Sequence, residues 1–167
     1  MNARLTESDV EKIKEEIEYR KIVVRKKALE AVKEARAHGD LSENFEYHAA
    51  KKDKNQNESR IRYLDRMLRT AEIIESSSKE DEVGLNNTVT LLFEEDQEEE
   101  TYKLVTGVRG NSVKGRITIE SPLGMAIEKK KVGDRVFVRI NEKQGYYVVI
   151  QDIKNTEEEE SDTLRSF

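Results

Sequence analysis

The sequence predicts two domains of different class: a long antiparallel α-helical coiled-coil hairpin, followed by a compact α+β domain with an antiparallel sheet. Three observations carry this. Apolar residues recur at every third or fourth position up to about residue 76, and at every second position after Gly84. No proline interrupts the chain before Pro122, and the first half contains a single glycine, Gly39. Charged residues make up 39% of the chain and hydrophobic ones 35%, a balance that suits an exposed helical element better than one large core.

The first arm runs from Thr6 to Ala37. Its stripe consists of Val10, Ile13, Ile17, Val24, Ala28, Ala31 and Ala35, and it lapses near Arg20 and Lys21. Thr6 followed by Asp9 suits a helix N-terminus, where a hydroxyl cap and negative charge are both favoured. His38-Gly39 supplies the stop, because glycine accepts a left-handed turn cheaply. A second arm begins at Ser42 or Glu43 and runs to about Ser76. Phe45, Tyr47, Ala49 and Ala50 crowd its start, and Ile61, Leu64, Leu68 and Ala71 mark its buried stripe. A short connection between two long amphipathic helices folds them back on each other. Arms of ~30 residues would span ~45 Å. Lys51–Ser59 is wholly polar, so the seam is expected to be weak beside the turn, or this run is simply a solvated face.

Ser76-Ser77-Ser78 and the charges after it read as a linker. Expected strands are Asn87–Phe93, Thr101–Thr106, Arg116–Ile119, Arg135–Ile140 and Tyr146–Ile153, all rich in Val, Ile, Thr and Tyr. The acidic run Glu94–Glu100 joins the first two as a hairpin loop, and Pro122–Lys130 holds a short helix. The resulting division is 1–78 for the hairpin, 79–154 for the α+β domain and 155–167 for an acidic tail, expected to be disordered because it carries four consecutive Glu.

Charge narrows the function. Residues 1–80 carry a net +1 and residues 81–167 a net −6, which gives the whole-chain −5. That argues against generic coating of nucleic acid, which needs a strongly basic surface. With no cysteine, disulfides, thiolate zinc sites and cysteine nucleophiles are excluded. No stretch approaches the ~20 apolar residues of a membrane span, and a cytoplasmic protein is the expectation.

The conspicuous site is Gly39-Asp40-Leu41-Ser42-Glu43-Asn44. Two carboxylates lie three residues apart where the hairpin reverses. The local pattern is first that of a helix N-cap with a capping box. Its second reading is a pair of Mg²⁺ ligands, which would need further ligands from elsewhere. Arg36, Lys51, Lys52, Lys54 and Arg60 gather near the turn, either as a track for an RNA backbone or as ordinary solubilising charge. His38 and His48 lack partners at zinc spacing, Ser42 has no base placed by sequence, and no phosphate-binding glycine loop occurs.

The stretch Glu34–Ala50 resembles the tip signature of the GreA/GreB family, Gly-Asp-Leu-x-Glu-Asn-x-Glu-Tyr-x-Ala-Ala. Where that family continues Glu-Gly-Arg-Ile, this chain has Glu58-Ser59-Arg60-Ile61. Ser121–Ala126 and Lys131-Val132-Gly133-Asp134 look like the family's C-terminal landmarks, so the similarity, closer to GreA, covers roughly Thr6 to Ile153. The resemblance implies an accessory factor, not a free-standing enzyme. It implies a monomer whose finger enters the secondary channel of bacterial RNA polymerase and reaches the nascent RNA 3′ end. Asp40 and Glu43 would there help hold Mg²⁺ shared with the polymerase, and the backtracked transcript would be cleaved. It further implies an FKBP-like second domain docking at the channel entrance, with Ser121, Pro122, Leu123, Gly124 and Met125 as part of the contact. Ser42, Asn55-Gln56-Asn57 and Ser59 depart from the family's usual residues and bear on cleavage strength. A regulator that occupies the channel without promoting cleavage stays open as the alternative, and a prolyl isomerase or chaperone as a third class.

Overall fold

The computed structural model describes residues 2–39, 42–76 and 79–166. These form two compact units, one comprising Ser8–Glu72 and the other Arg4–Glu7 with Ile73–Ser166. Ser77 and Ser78 of the expected linker lie outside the described residues. A two-stranded ribbon of β1 (Arg4–Leu5) and β2 (Glu72–Ile73), not foreseen from the sequence, pairs the segments that flank the hairpin.

The first arm is α1 (Glu7–Tyr19), a π-helical turn (Arg20–Val24) and α2 (Arg25–Ala37); the second is α3 (Phe45–Thr70). α1 starts directly after Thr6, the expected cap position. α3 stops short of the expected Ser76 because Glu72–Ile73 are drawn into the ribbon. Inward positions on α3 are Tyr47, Ala50, Lys54, Asn57, Ile61, Leu64 and Leu68, an unbroken alternation of three- and four-residue steps. On the first arm Ile13 and Ile17 are buried, and after the π turn Val24, Ala28, Val32 and Ala35 face inward. Ala31, expected in the stripe, is exposed, and Val32 takes its place. In the π turn the Arg25 N–H bonds to the Arg20 carbonyl, five residues back, which inserts one residue into the helical repeat where the stripe lapses.

The lapse at Arg20 and the polar run of the second arm face each other. Asn57, only 4% exposed, donates its amide to the Arg20 carbonyl at 3.3 Å and accepts from the Arg20 guanidinium at 3.1 Å. Glu16 accepts from Arg20 at 2.8 Å and, through both oxygens, from Arg60 at 2.9 and 3.3 Å. Glu58 accepts both bonds of the Arg25 fork at 2.7 and 2.9 Å. The stretch expected to be a weak seam is therefore pinned by charge-assisted, bidentate bonds, the strongest kind available to side chains.

The second unit is a five-stranded sheet in the order β5-β4-β3-β7-β6, comprising β3 (Thr88–Phe93), β4 (Glu98–Val105), β5 (Arg116–Thr118), β6 (Arg135–Arg139) and β7 (Gly145–Lys154). All five expected strands are present, but the sheet is mixed, since β5 runs parallel to β4. The correction has a simple origin. Ten residues separate β4 from β5 and fold into two 3₁₀ turns, a path long enough to carry the chain back to Lys103 and rerun it alongside the last three residues of β4, whereas a hairpin closes in two to five. β3 and β4 do form the expected acidic hairpin, with Glu98–Glu100 continuing as strand. The core joins Val89, Leu91, Leu104, Ile119, Ile127, Val138, Val148 and Ile150, all essentially inaccessible, each contributing about 1.5–3 kcal/mol by burial. The short helix α4 (Pro122–Ile127) closes one end; Ser121 caps it, accepting the Gly124 N–H, and Pro122 fills its first turn.

The acidic tail, expected to be disordered, follows a defined path. Register aligns Lys154, Thr88, Lys103 and Arg116 in a row across β7, β3, β4 and β5, and the chain leaving β7 retraces that row. The Thr156 hydroxyl bonds Thr88, and Asp162, 2% exposed, receives Lys103 and Arg116. Burial pushes the Asp162 carboxyl up, yet hydrogen bonds from Lys103, the Glu159 N–H and Arg116 outweigh it and hold the group below its ordinary range. Composition registers the four exposed Glu but not this one partnered Asp.

Two outcomes are expected. A Cβ on Gly124 would lie 1.9 Å from the Thr118 carbonyl oxygen, so Gly124→Ala should cost about 3 kcal/mol or more and lower the urea midpoint of the full chain. Burial raises Glu16, but bonds from Arg60 and Arg20 hold it below 4.5 on balance. Its stabilising effect is complete above that value and is lost as pH falls through the depressed folded-state value. Glu16→Gln should therefore flatten the acid limb of stability against pH, measured by circular dichroism.

Candidate functional site at the hairpin tip

The turn is organised by Asn44. α2 ends at Ala37, with the His38 N–H returning to the Ala35 carbonyl at 3.1 Å. Gly39 follows at φ 145°, a conformation that side chains disfavour. On the other side, the Asn44 side-chain oxygen accepts the Tyr47 N–H at 2.9 Å, capping α3, while its amide donates to the Ala35 carbonyl at 2.7 Å. One side chain thus serves the orphan groups of both helix ends. The capping role that the local pattern gives to Asp40 and Glu43 is taken, for α3, by Asn44. The sequence carries a signal for this, since Asn is among the best N-cap residues and Glu46 adds a first-turn acid.

The consequence falls on Glu43. It precedes the cap, its side chain is exposed in the turn, and the capping acceptor is a different residue. Asp40 lies outside the described residues. Among the described residues, no group of three or more His, Cys, Asp or Glu side chains could hold a metal ion. The described residues of the tip therefore do not complete a cation site by themselves.

The basic residues divide. Arg36, Lys51 and Lys52 are exposed and Lys54 is half-buried on the seam side. Arg36 lies 5.5 Å from the Tyr47 ring centroid, and its hydrogen bond holds the Tyr47 phenol below its ordinary value. His48, Lys51, Lys52, Asn55, Gln56 and Ser59 line an open groove on the outer face of α3. Arg60 does not belong with them. It is 4% exposed and committed to Glu16 in the seam, so its expected place on an RNA track is corrected to a structural one. Across the turn, His38 Nδ1 meets Glu46 Oε2 at 2.9 Å, and that bond raises the imidazole above its usual range.

In the second unit, the expected docking segment is partly internal. Ser121 bonds Thr118 and Gly124, Gly124 is buried, and Pro122 and Met125 are exposed, Met125 to 61%. No described helix is long and apolar enough to cross a membrane.

Comparison with known proteins agrees with this organisation. The family description "Transcription elongation factor, N-terminal" matches residues 3–73, and "Transcription elongation factor, GreA/GreB, C-term" matches residues 77–159. The chain belongs to the GreA/GreB family. Its similarity to a transcription elongation factor GreA of Magnetococcus marinus is 41% identity, over 81% of this chain and 87% of that one. With GreA of Bacillus licheniformis it is 43%, over 81% and 86%. The crystal structure of GreA factor homolog 1 of Thermus thermophilus aligns at 24% identity over 93% of this chain and all of that one, with a TM-score of 0.43. The resemblance read from the tip motif is borne out, and the chain is a transcription elongation factor of this family, closer to GreA.

Asn44→Ala should destabilise the hairpin by about 1–2 kcal/mol and speed hydrogen exchange at the Tyr47 amide. Asn44→Asp keeps the cap acceptor and loses the Ala35 bond, and should fall between the two.

Proposed function

We propose that this factor acts on RNA polymerase halted by backtracking, entering its secondary channel with the helical hairpin and stimulating endonucleolytic cleavage of the transcript's 3′ end. The observation that carries this reading is the Asn44 cap: α3 is closed by a residue other than the acids, and the Glu43 carboxylate is left exposed at the reversal. Asp40, three residues earlier, is its natural partner. Two carboxylates suit Mg²⁺, which keeps several waters and is commonly bound through one or two acids plus groups from elsewhere. Asp40 and Glu43 would help hold such a cation together with groups of the polymerase, where it would supply charge for the hydrolysis of a phosphodiester.

The chain's own contribution is positional. A finger pinned at Arg20–Asn57 and clamped at Asn44 delivers the acids without slack, which matters because small misplacements cost large factors in rate. Arg36, Lys51 and Lys52 give the outer surface near the tip positive charge to meet the RNA backbone. Exposed Met125 and Pro122 offer part of the surface by which the FKBP-like second unit docks at the channel entrance. The factor is an accessory, since the acids alone do not complete a site. The names carried by relatives at 41–43% identity favour this reading over a regulator that occupies the channel without cleavage.

The decisive test adds the protein and Mg²⁺ to backtracked polymerase and follows the release of short 3′ RNA fragments. Asp40→Asn and Glu43→Gln should each reduce release by at least ~10²-fold, the scale of losing one electrostatic group at a reacting centre, with polymerase affinity unchanged. Cleavage at parental rates by both variants would overturn the assignment.

A further inference from the structure

Lys103, Arg109 and Arg116 converge on the C-terminal tail from β4, the 3₁₀ turn after it, and β5. Lys103 Nζ donates to the Glu157 carbonyl at 2.6 Å and to the Asp162 carboxylate. Arg116 Nε donates to the other Asp162 oxygen at 2.8 Å, and its Nη2 to the Ser161 hydroxyl at 3.1 Å. Arg109 donates to the Asp162 carbonyl and pairs with Glu158. Lys103 and Arg109 are almost fully buried beneath these contacts. A fold that needed only stability here would do as well or better with apolar residues, because desolvating such cations is costly. Two cations closing on one carboxylate, with a third on the same residue's main-chain carbonyl and on Glu158, make a recognition geometry.

We propose that Lys103, Arg109 and Arg116 form a docking site for acidic peptide segments, occupied in the free protein by the chain's own Glu157–Asp162. The ligand class follows from the acceptors. Besides the carboxylates, two are main-chain carbonyls, of Glu157 and Asp162, which a polypeptide has and a phosphodiester backbone lacks. The tail is held so that it can exchange. Between 155 and 166 its only aliphatic apolar residue is Leu164, so charge and hydrogen bonds hold it in place of apolar area, and salt weakens such contacts. Tethering gives the tail an effective concentration in the millimolar range. A free acidic segment therefore competes poorly with the intact tail and well once its Asp162 anchor is gone. The tail masks a site for an acidic stretch of another protein.

A fluorescent peptide of the sequence 155–167 tests this by anisotropy against the full-length chain. Asp162→Asn protein should bind it at least ~10-fold more tightly than the parent, consistent with removing a tethered competitor, and the affinity should fall with added salt. The same peptide carrying Asn for Asp162 should bind at least ~10-fold more weakly, the scale of losing a charge-assisted bond. Equal affinity for parent and variant overturns the proposal, as does tighter binding of a 12-nucleotide RNA than of the peptide. A measurement on the unmodified chain guards against a misfolded variant. Millimolar peptide should accelerate exchange of the Glu159, Asp162 and Arg165 amides, which bond within the docked tail and to Val108. Unchanged exchange overturns the proposal equally.

Discussion

The amide of Asn57 against the Arg20 carbonyl sets the geometry of the hairpin. It sits in a seam position where a coiled coil ordinarily places an aliphatic side chain, and it is satisfied only in one register, opposite the π turn that exposes Arg20 to it. A polar pair in such a position costs some stability and fixes alignment in return. Glu16, Arg60, Arg25 and Glu58 extend the same interaction over about two helical turns. Sliding either arm by one step would bury unpaired guanidinium and amide groups together, a penalty larger than any gain from the small residues nearby. Glu43 lies where it does because the arms cannot slip.

The same logic operates in the second unit by other means. The sheet is carried by aliphatic packing, so its polar row at Thr88, Lys103 and Arg116 is not required to hold it together. That row is available for recognition, and the chain's acidic end lies along it. In both units, buried charge stands where specificity is at issue, and apolar burial stands where cohesion is.

Much of the architecture was legible from spacing. The periodic change after Gly84, the stop at His38-Gly39, the five strand segments and Ser121-Pro122 as a helix start all report local physics that nothing distant overrides. What escaped were non-local partners. Arg60 looked like surface charge because its Glu16 partner is 44 residues away, and Asn57 looked like a weakness because Arg20 is 37 away. Asp162 was hidden among glutamates for the same reason. The parallel course of β5 depends on how ten loop residues turn, which periodicity does not encode. At the tip, the motif singles out Asp40 and Glu43, whereas the role of Asn44 rests on its bond to the Ala35 carbonyl nine residues back, which spacing does not encode.

That second bond has a bearing on how the family can diversify. The tip is closed by Asn44 and the seam by Arg20 and Asn57, and the exposed Glu43 side chain is not the capping group. Substitution at Glu43 changes the charge presented at the reversal while leaving the Asn44 cap intact. One scaffold can therefore carry a working tip, an inert one or a tip with another task, each separated from the next by a single codon and none by a folding barrier.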